Sequence, residues 1–285
     1  MAGDTKELDA LASALNRSAE RVQTLWFSFL AVTLYLAISA LTTTHRMLLL
    51  GEGQTLPILN VKLPLLPFYI VAPTFYVVLH AYMLLMLILL ARTAKTFESA
   101  LNATGSGGMT KQDRERYRMR MENAIFLQII IGGERERSGA NGWMLRTIAL
   151  ISLAVVPVLV LLLFQLMFLP YHNETVTWLH RVLILMDLVI VWTLWPSYRR
   201  EGGERLLPRL RPLPALAVRA AASALVLVFS ILVATYPYEW IQGTRLAAAV
   251  PWWVPRMVFS YVTPSERVPR WFDNHLNLPH EDFVD

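Results

Sequence analysis

Cysteine is absent from the 285-residue chain, which excludes disulfides, thiolate metal ligands and a cysteine nucleophile. Charge is scarce as well. Asp, Glu, Lys and Arg make up 16% of residues, where a soluble domain carries about a quarter. No P-loop, G-x-S-x-G elbow, H-E-x-x-H pair or dinucleotide fingerprint occurs, so an enzyme reading has no residues to stand on and no cofactor is expected. Residues 1–24 are polar and lack the short apolar core of a cleavable signal peptide. The first apolar run is therefore expected to stay in the bilayer as a signal anchor.

What is present is apolar: 55% of residues are hydrophobic and the mean hydropathy is +0.43. A membrane span needs about 20 mostly apolar residues, and residues 25–43, 67–91, 147–169, 177–196 and 214–235 supply them. The chain is thus expected to be an all-α polytopic membrane protein with about five transmembrane helices. A sixth apolar stretch, residues 246–262, contains Pro251, Pro255 and Arg256. With Trp240, Trp252 and Trp253 in or beside it, it reads as interfacial. The expected organisation is an amphipathic cytoplasmic helix over 1–24, a transmembrane domain over 25–235 with a cytoplasmic loop at 92–146, and a Trp-rich tail over 236–285.

Basic residues set the orientation. Nineteen Lys and Arg fall before the first span, between spans two and three, and from Arg199 to Arg219, whereas six fall in the opposite loops and tail. That asymmetry places the amino terminus inside and the carboxyl terminus outside. The +5 net charge is accounted for by this placement and implies no nucleic-acid partner. On the cytoplasmic side, Leu8, Leu11, Ala12, Leu15, Ala19 and Val22 share one helical face. Thr110 and Asp113, after the Gly105–Gly108 break, open a second helix through about Ile131. Its face of Lys111, Arg114 and Arg118 is solvated, with anionic lipid as the alternative contact.

Few ionisable groups fall inside spans: His80, His180, Arg181, Asp187 and Arg219. Charged side chains there are costly, so each is a candidate functional residue. Arg219, His180 and Arg181 lie near helix ends, where long side chains reach the surface. Asp187 lies near the midplane, and His80 sits at a depth differing by about 5 Å on a helix running the same way. A structural His80–Asp187 pair is expected ahead of a proton relay, because one pair is not a chain of carriers. Residues 168–181 gather Tyr171, His172, Glu174, Trp178, His180 and Arg181. These are expected to form an outer cap with the first outer loop around His45, Asn60 and Lys62. A metal at His172, Glu174 and His180 is the weaker alternative, since the spacing matches no standard ligand motif. Asn173-Glu174-Thr175 is a formal glycosylation sequon, a three-residue pattern that occurs often by chance.

Two blocks carry a family resemblance. Thr44, His45, Leu56-Pro57, Leu59-Asn60-Val61, Leu63-Pro64, Ala72-Pro73, His80 and Tyr82 form the first. Residues 168–172, Thr177-Trp178, His180-Arg181, Asp187 and Trp195-Pro196 form the second. Together they resemble the membrane module that precedes the repeats in bacterial pentapeptide-repeat membrane proteins. The repeats themselves are missing, although the tail from Arg270 to Asp285 resembles their lead-in, so the chain is either the membrane portion of a longer protein or a member without repeats. The resemblance implies a bacterial inner membrane and a non-catalytic anchor or scaffold that assembles with itself or a partner protein. The alternative is a channel or transporter component using His80, Asp187 and Gln165. Five spans do not divide into the two equal halves common in transporters.

Overall fold

The computed structural model describes residues 2–56, 61–105, 125–131, 140–199 and 213–234. Helix α1 (Ala2–Leu41) is one unbroken helix of 40 residues. Leu15, Ala19, Val22, Trp26, Phe29, Leu36 and Ala40 are buried along it, at the alternating three- and four-residue spacing of a packed stripe. The opposite face changes character midway. Lys6, Glu7, Arg17, Glu20 and Arg21 are exposed first, then Phe27, Leu34 and Ile38. The expected boundary at residue 24 is therefore a change of solvent and not a break in the helix. Leu11 and Ala12, expected on the buried face, are only half-buried.

Thr44 caps the short helix α2 (His45–Leu50), its side chain accepting from the Met47 N–H, and Gly51 ends it with φ 63°, a left-handed conformation that favours glycine. A hairpin not expected from sequence follows, with β1 (Gln54–Thr55) antiparallel to β2 (Lys62–Leu63) and Gln54 opposite Leu63. Gly53 approaches closely: a Cβ there would lie 2.8 Å from the Leu63 carbonyl oxygen.

Helix α3 (Leu65–Gly105) runs well past the expected end at residue 91. Its outer face passes from exposed Val71, Phe75, Val78, Leu85 and Leu89 to exposed Arg92, Thr96 and Ser99. The helix leaves the apolar zone and continues through Gly105, where this stretch of described residues ends. Helix α4 (Ile125–Ile131) lies beside α5 (Ala140–Leu150). The other residues expected in the α4 helix, Thr110 and Asp113 among them, lie outside the described residues. A π-helical turn (Ile151–Val155) joins α5 to α6 (Val156–Phe168), and a 3-10 turn (Leu169–Tyr171) leads to α7 (Glu174–Arg199). Helix α8 (Leu213–Ala234) follows.

The protein is thus an all-α polytopic membrane protein, with one small hairpin among the described residues. Among the described residues, four stretches are long and apolar enough to cross a membrane: Lys6–Leu41, Leu65–Ala103, Gly142–Tyr171 and Glu174–Leu194. The expected fifth span is helical, but its apolar stretch within the described residues, Ala217–Ile231, is shorter. Residues 246–262 and the tail lie outside the described residues. The chain divides into two compact units. The first comprises Met1–Thr33, Val78–Pro157 and Asp187–Arg211; the second comprises Leu34–Val77, Val158–Met186 and Pro212–Asp285.

Candidate functional site

Proline has no N–H, so inside a helix it leaves the carbonyl four residues earlier without its donor and crowds it with its ring. Pro157 does this to Leu153, which lies in the π turn just before it. In that turn the Val156 N–H donates to the Ile151 carbonyl, five residues back, a local widening often found at functional sites. The Leu153 carbonyl is taken up by another helix: His80 Nε2, on α3, lies 3.0 Å from it. A carbonyl oxygen only accepts, so Nε2 carries the proton and donates it.

The other ring nitrogen of His80, Nδ1, is 2.6 Å from Asp187 Oδ1 on α7, with both side chains fully buried. One proton lies between ring and carboxyl, and wherever it sits the pair is neutral overall. Phe29 of α1 stacks on the imidazole, centroids 5.4 Å apart. One imidazole thus links α3, the π turn and α7 in the first unit. Asp187 Oδ2 is buried and has no hydrogen-bond partner among the described residues. Beside Leu153, Ser152 Oγ accepts from Trp26 Nε1 at 3.2 Å. The Trp26 ring meets Phe126 of α4 edge-on, centroids 5.6 Å apart.

The second unit repeats the device. Pro73, inside α3, deprives the Tyr69 carbonyl of its helical donor. His180 Nε2, on α7, donates to that carbonyl across 2.8 Å. Here the other nitrogen differs, because His180 Nδ1 is buried without a hydrogen-bond partner among the described residues. The Tyr69 hydroxyl is 2.6 Å from Thr43 Oγ1, which donates to Gln54 Oε1 at 3.0 Å. Since the Thr43 proton is committed to Gln54, Tyr69 donates to Thr43. Gln54 Nε2 then donates to the Ser39 carbonyl at 2.7 Å and to Thr42 Oγ1 at 2.8 Å. Gln54 is fully buried, and its amide is satisfied on both sides, as a buried amide requires. Gln165 and Ser230 form a reciprocal pair: Gln165 Nε2 donates to the Ser230 carbonyl at 3.1 Å, and Ser230 Oγ donates to Gln165 Oε1 at 2.7 Å.

The residues expected in an outer cap are distributed differently. Helix α2 lies beside the Leu169–Tyr171 turn, so the two loop backbones do meet. Tyr171, His172, Glu174, Trp178 and Lys62, however, are exposed, and Asn60 and the His45 side chain lie outside what is described. His172 adopts φ 54°, and its Nδ1–H donates to the Pro170 carbonyl at 2.8 Å. His180 is buried and committed to Tyr69. His172 and His180 thus engage separate carbonyls, and among the described residues no group of three metal-ligating side chains occurs. Asn173, read as a sequon, caps α7: its Oδ1 accepts from the Val176 N–H at 3.2 Å, and its carbonyl takes the Thr177 N–H.

Sequence reasoning missed Tyr69, Thr43, Gln54, Leu153 and Trp26. Counting four residues back from Pro73 and Pro157 finds Tyr69 and Leu153, but no comparable signal marks Gln54. A scan against protein-family models, a search of curated proteins and a search of solved structures each found no match.

Proposed function

We propose that the chain is a non-catalytic anchor and assembly subunit of a bacterial inner membrane, joining itself or a partner protein, with no cofactor and no nucleic acid. Its amino terminus is cytoplasmic and its carboxyl terminus periplasmic, as the basic-residue asymmetry implies. The observation that carries the reading is the commitment of His80: both ring nitrogens meet protein acceptors, so the ring has no free nitrogen to offer a passing ion. Gln165 is likewise spent on Ser230. These bonds favour a fixed helix arrangement over a lined path. The resemblance to the membrane module of pentapeptide-repeat proteins agrees with an anchoring role.

Purification under native conditions, followed by mass spectrometry of co-purifying chains, tests this reading. A stoichiometric partner or a defined homo-oligomer is expected; a lone chain that conducts ions or protons in liposomes would sink it. Reporter fusions at Gly107 and Asp285 test the orientation and should give opposite readings. The second reading, a channel or transporter component using His80 and Asp187, rests on the buried and unpartnered Asp187 Oδ2. Loss of flux in stable His80→Ala and Asp187→Asn variants would bring that reading forward.

A further inference from the structure

Arg181 is a permanent cation in the first half of α7, about 10 Å along the axis from Glu174. Its side chain is not left to water. The guanidinium carbon lies 4.5 Å from the centroid of the Trp178 ring, one turn nearer the helix start. Its Nε is buried and has no hydrogen-bond partner among the described residues. A ring face offsets part of the charge, but it accepts none of the guanidinium's directional N–H bonds. Glu174 is on the same face two turns away and exposed, and the guanidinium rests on Trp178 between them.

The surface beside this cation is apolar and unburied: Trp178, Val182 and Leu185 are 59%, 54% and 46% exposed. They lie at four- and three-residue steps, so they form one stripe running away from Arg181 along the helix. A cation stacked on an exposed tryptophan at the head of an apolar stripe matches a phosphodiester joined to hydrocarbon. The planar fork of arginine suits a phosphate, and Trp178 has the amphipathic ring that sits at headgroup level.

We propose that Arg181 and Trp178 form a binding site for the phosphate of one phospholipid, from the leaflet at the Glu174 end of α7, with an acyl chain along Val182 and Leu185. The site is separate from the His80 and His180 clasps and does not depend on the anchoring role.

The test is native mass spectrometry of the full-length chain, delipidated in detergent and titrated with phosphatidylglycerol. One saturable lipid per chain is expected, with affinity weakened about tenfold or more in Arg181→Gln. Arg181→Lys keeps the charge but loses the fork, so it should retain the fold and bind with intermediate affinity; it carries the test if Arg181→Gln fails to fold. Inorganic phosphate at millimolar concentration should not displace the lipid, because it has no chain to lie on the stripe. Wild-type affinity in both variants would overturn the site. Displacement by inorganic phosphate would overturn the lipid assignment in favour of a free anion.

Discussion

His80 and His180 perform the same task in different surroundings. Each donates from Nε2 to a carbonyl that a proline four residues later has orphaned, Leu153 before Pro157 and Tyr69 before Pro73. They differ at Nδ1, where His80 meets Asp187 at 2.6 Å and His180 has no hydrogen-bond partner among the described residues. Closing an orphaned carbonyl thus needs only an imidazole at the right depth. The carboxylate adds a third helix and holds the ring in the orientation that presents Nε2–H to Leu153. Among the described residues Asp187 has no hydrogen-bond partner except His80, so the first clasp depends on both its members and the second on one.

The largest expected effect follows from that dependence. Asp187→Ala removes one member of a fully buried pair and should cost about 3–5 kcal/mol, read by thermal unfolding in detergent. Asp187→Asn keeps an oxygen near Nδ1 and should cost less. His80→Ala with Asp187→Asn should cost less than the sum of the two single changes. Strictly additive losses would show that the two residues do not support one another. His180→Ala leaves the Tyr69 carbonyl bare and should cost about 1–3 kcal/mol, less than Asp187→Ala. Equal losses would remove the distinction between the clasps.

Restoring the missing donor sharpens the comparison. Pro157→Ala supplies an N–H to Leu153 and Pro73→Ala supplies one to Tyr69, so each should soften the loss of its histidine. Couplings of about 0.5–3 kcal/mol are expected in each double-mutant cycle. Rescue should be nearly complete for His180→Ala. For His80→Ala it should be partial, because Asp187 stays stranded. Absence of coupling in both cycles would show that the histidines do not serve the proline-freed carbonyls.

The smallest effects concern single bonds that flank the clasps. Tyr69→Phe removes the donor to Thr43 while leaving its carbonyl bond to His180, and Trp26→Phe removes the donor to Ser152. Each should cost about 0.6 kcal/mol and no more than about 1.7, the range for hydrogen bonds between membrane helices. A loss from Tyr69→Phe as large as that from His180→Ala would mean that the Thr43–Gln54 network, and not the histidine, holds the second unit.

Helix existence was legible because hydrocarbon demands long apolar runs whose backbone bonds close within the segment. Helix ends were less so. Along α1 and α3 the buried stripe continues while the outer surface passes between water and lipid, so hydropathy marks where the solvent changes and not where the helix stops. The hairpin at Gln54 escaped notice because two-residue strands carry no periodicity. Depth arithmetic named His80 and Asp187 together, since both lie far from the ends of helices running the same way.

Composition and order of residues by themselves determined the membrane class, the positions of the apolar helices and the prolines, Pro73 and Pro157 among them, that each orphan a carbonyl, because these follow from local chemistry along one chain. Which side chain reaches each orphaned carbonyl depends on how neighbouring helices are rotated about their axes. Tertiary packing therefore decided that His80 serves Leu153 while holding Asp187, that His180 serves Tyr69 and not a surface cap, and that Gln54 folds back onto Ser39, Thr42 and Thr43. The physical reason is that a hydrogen bond needs an acceptor within about 3 Å, and residues distant in sequence come that close only once the helices have packed.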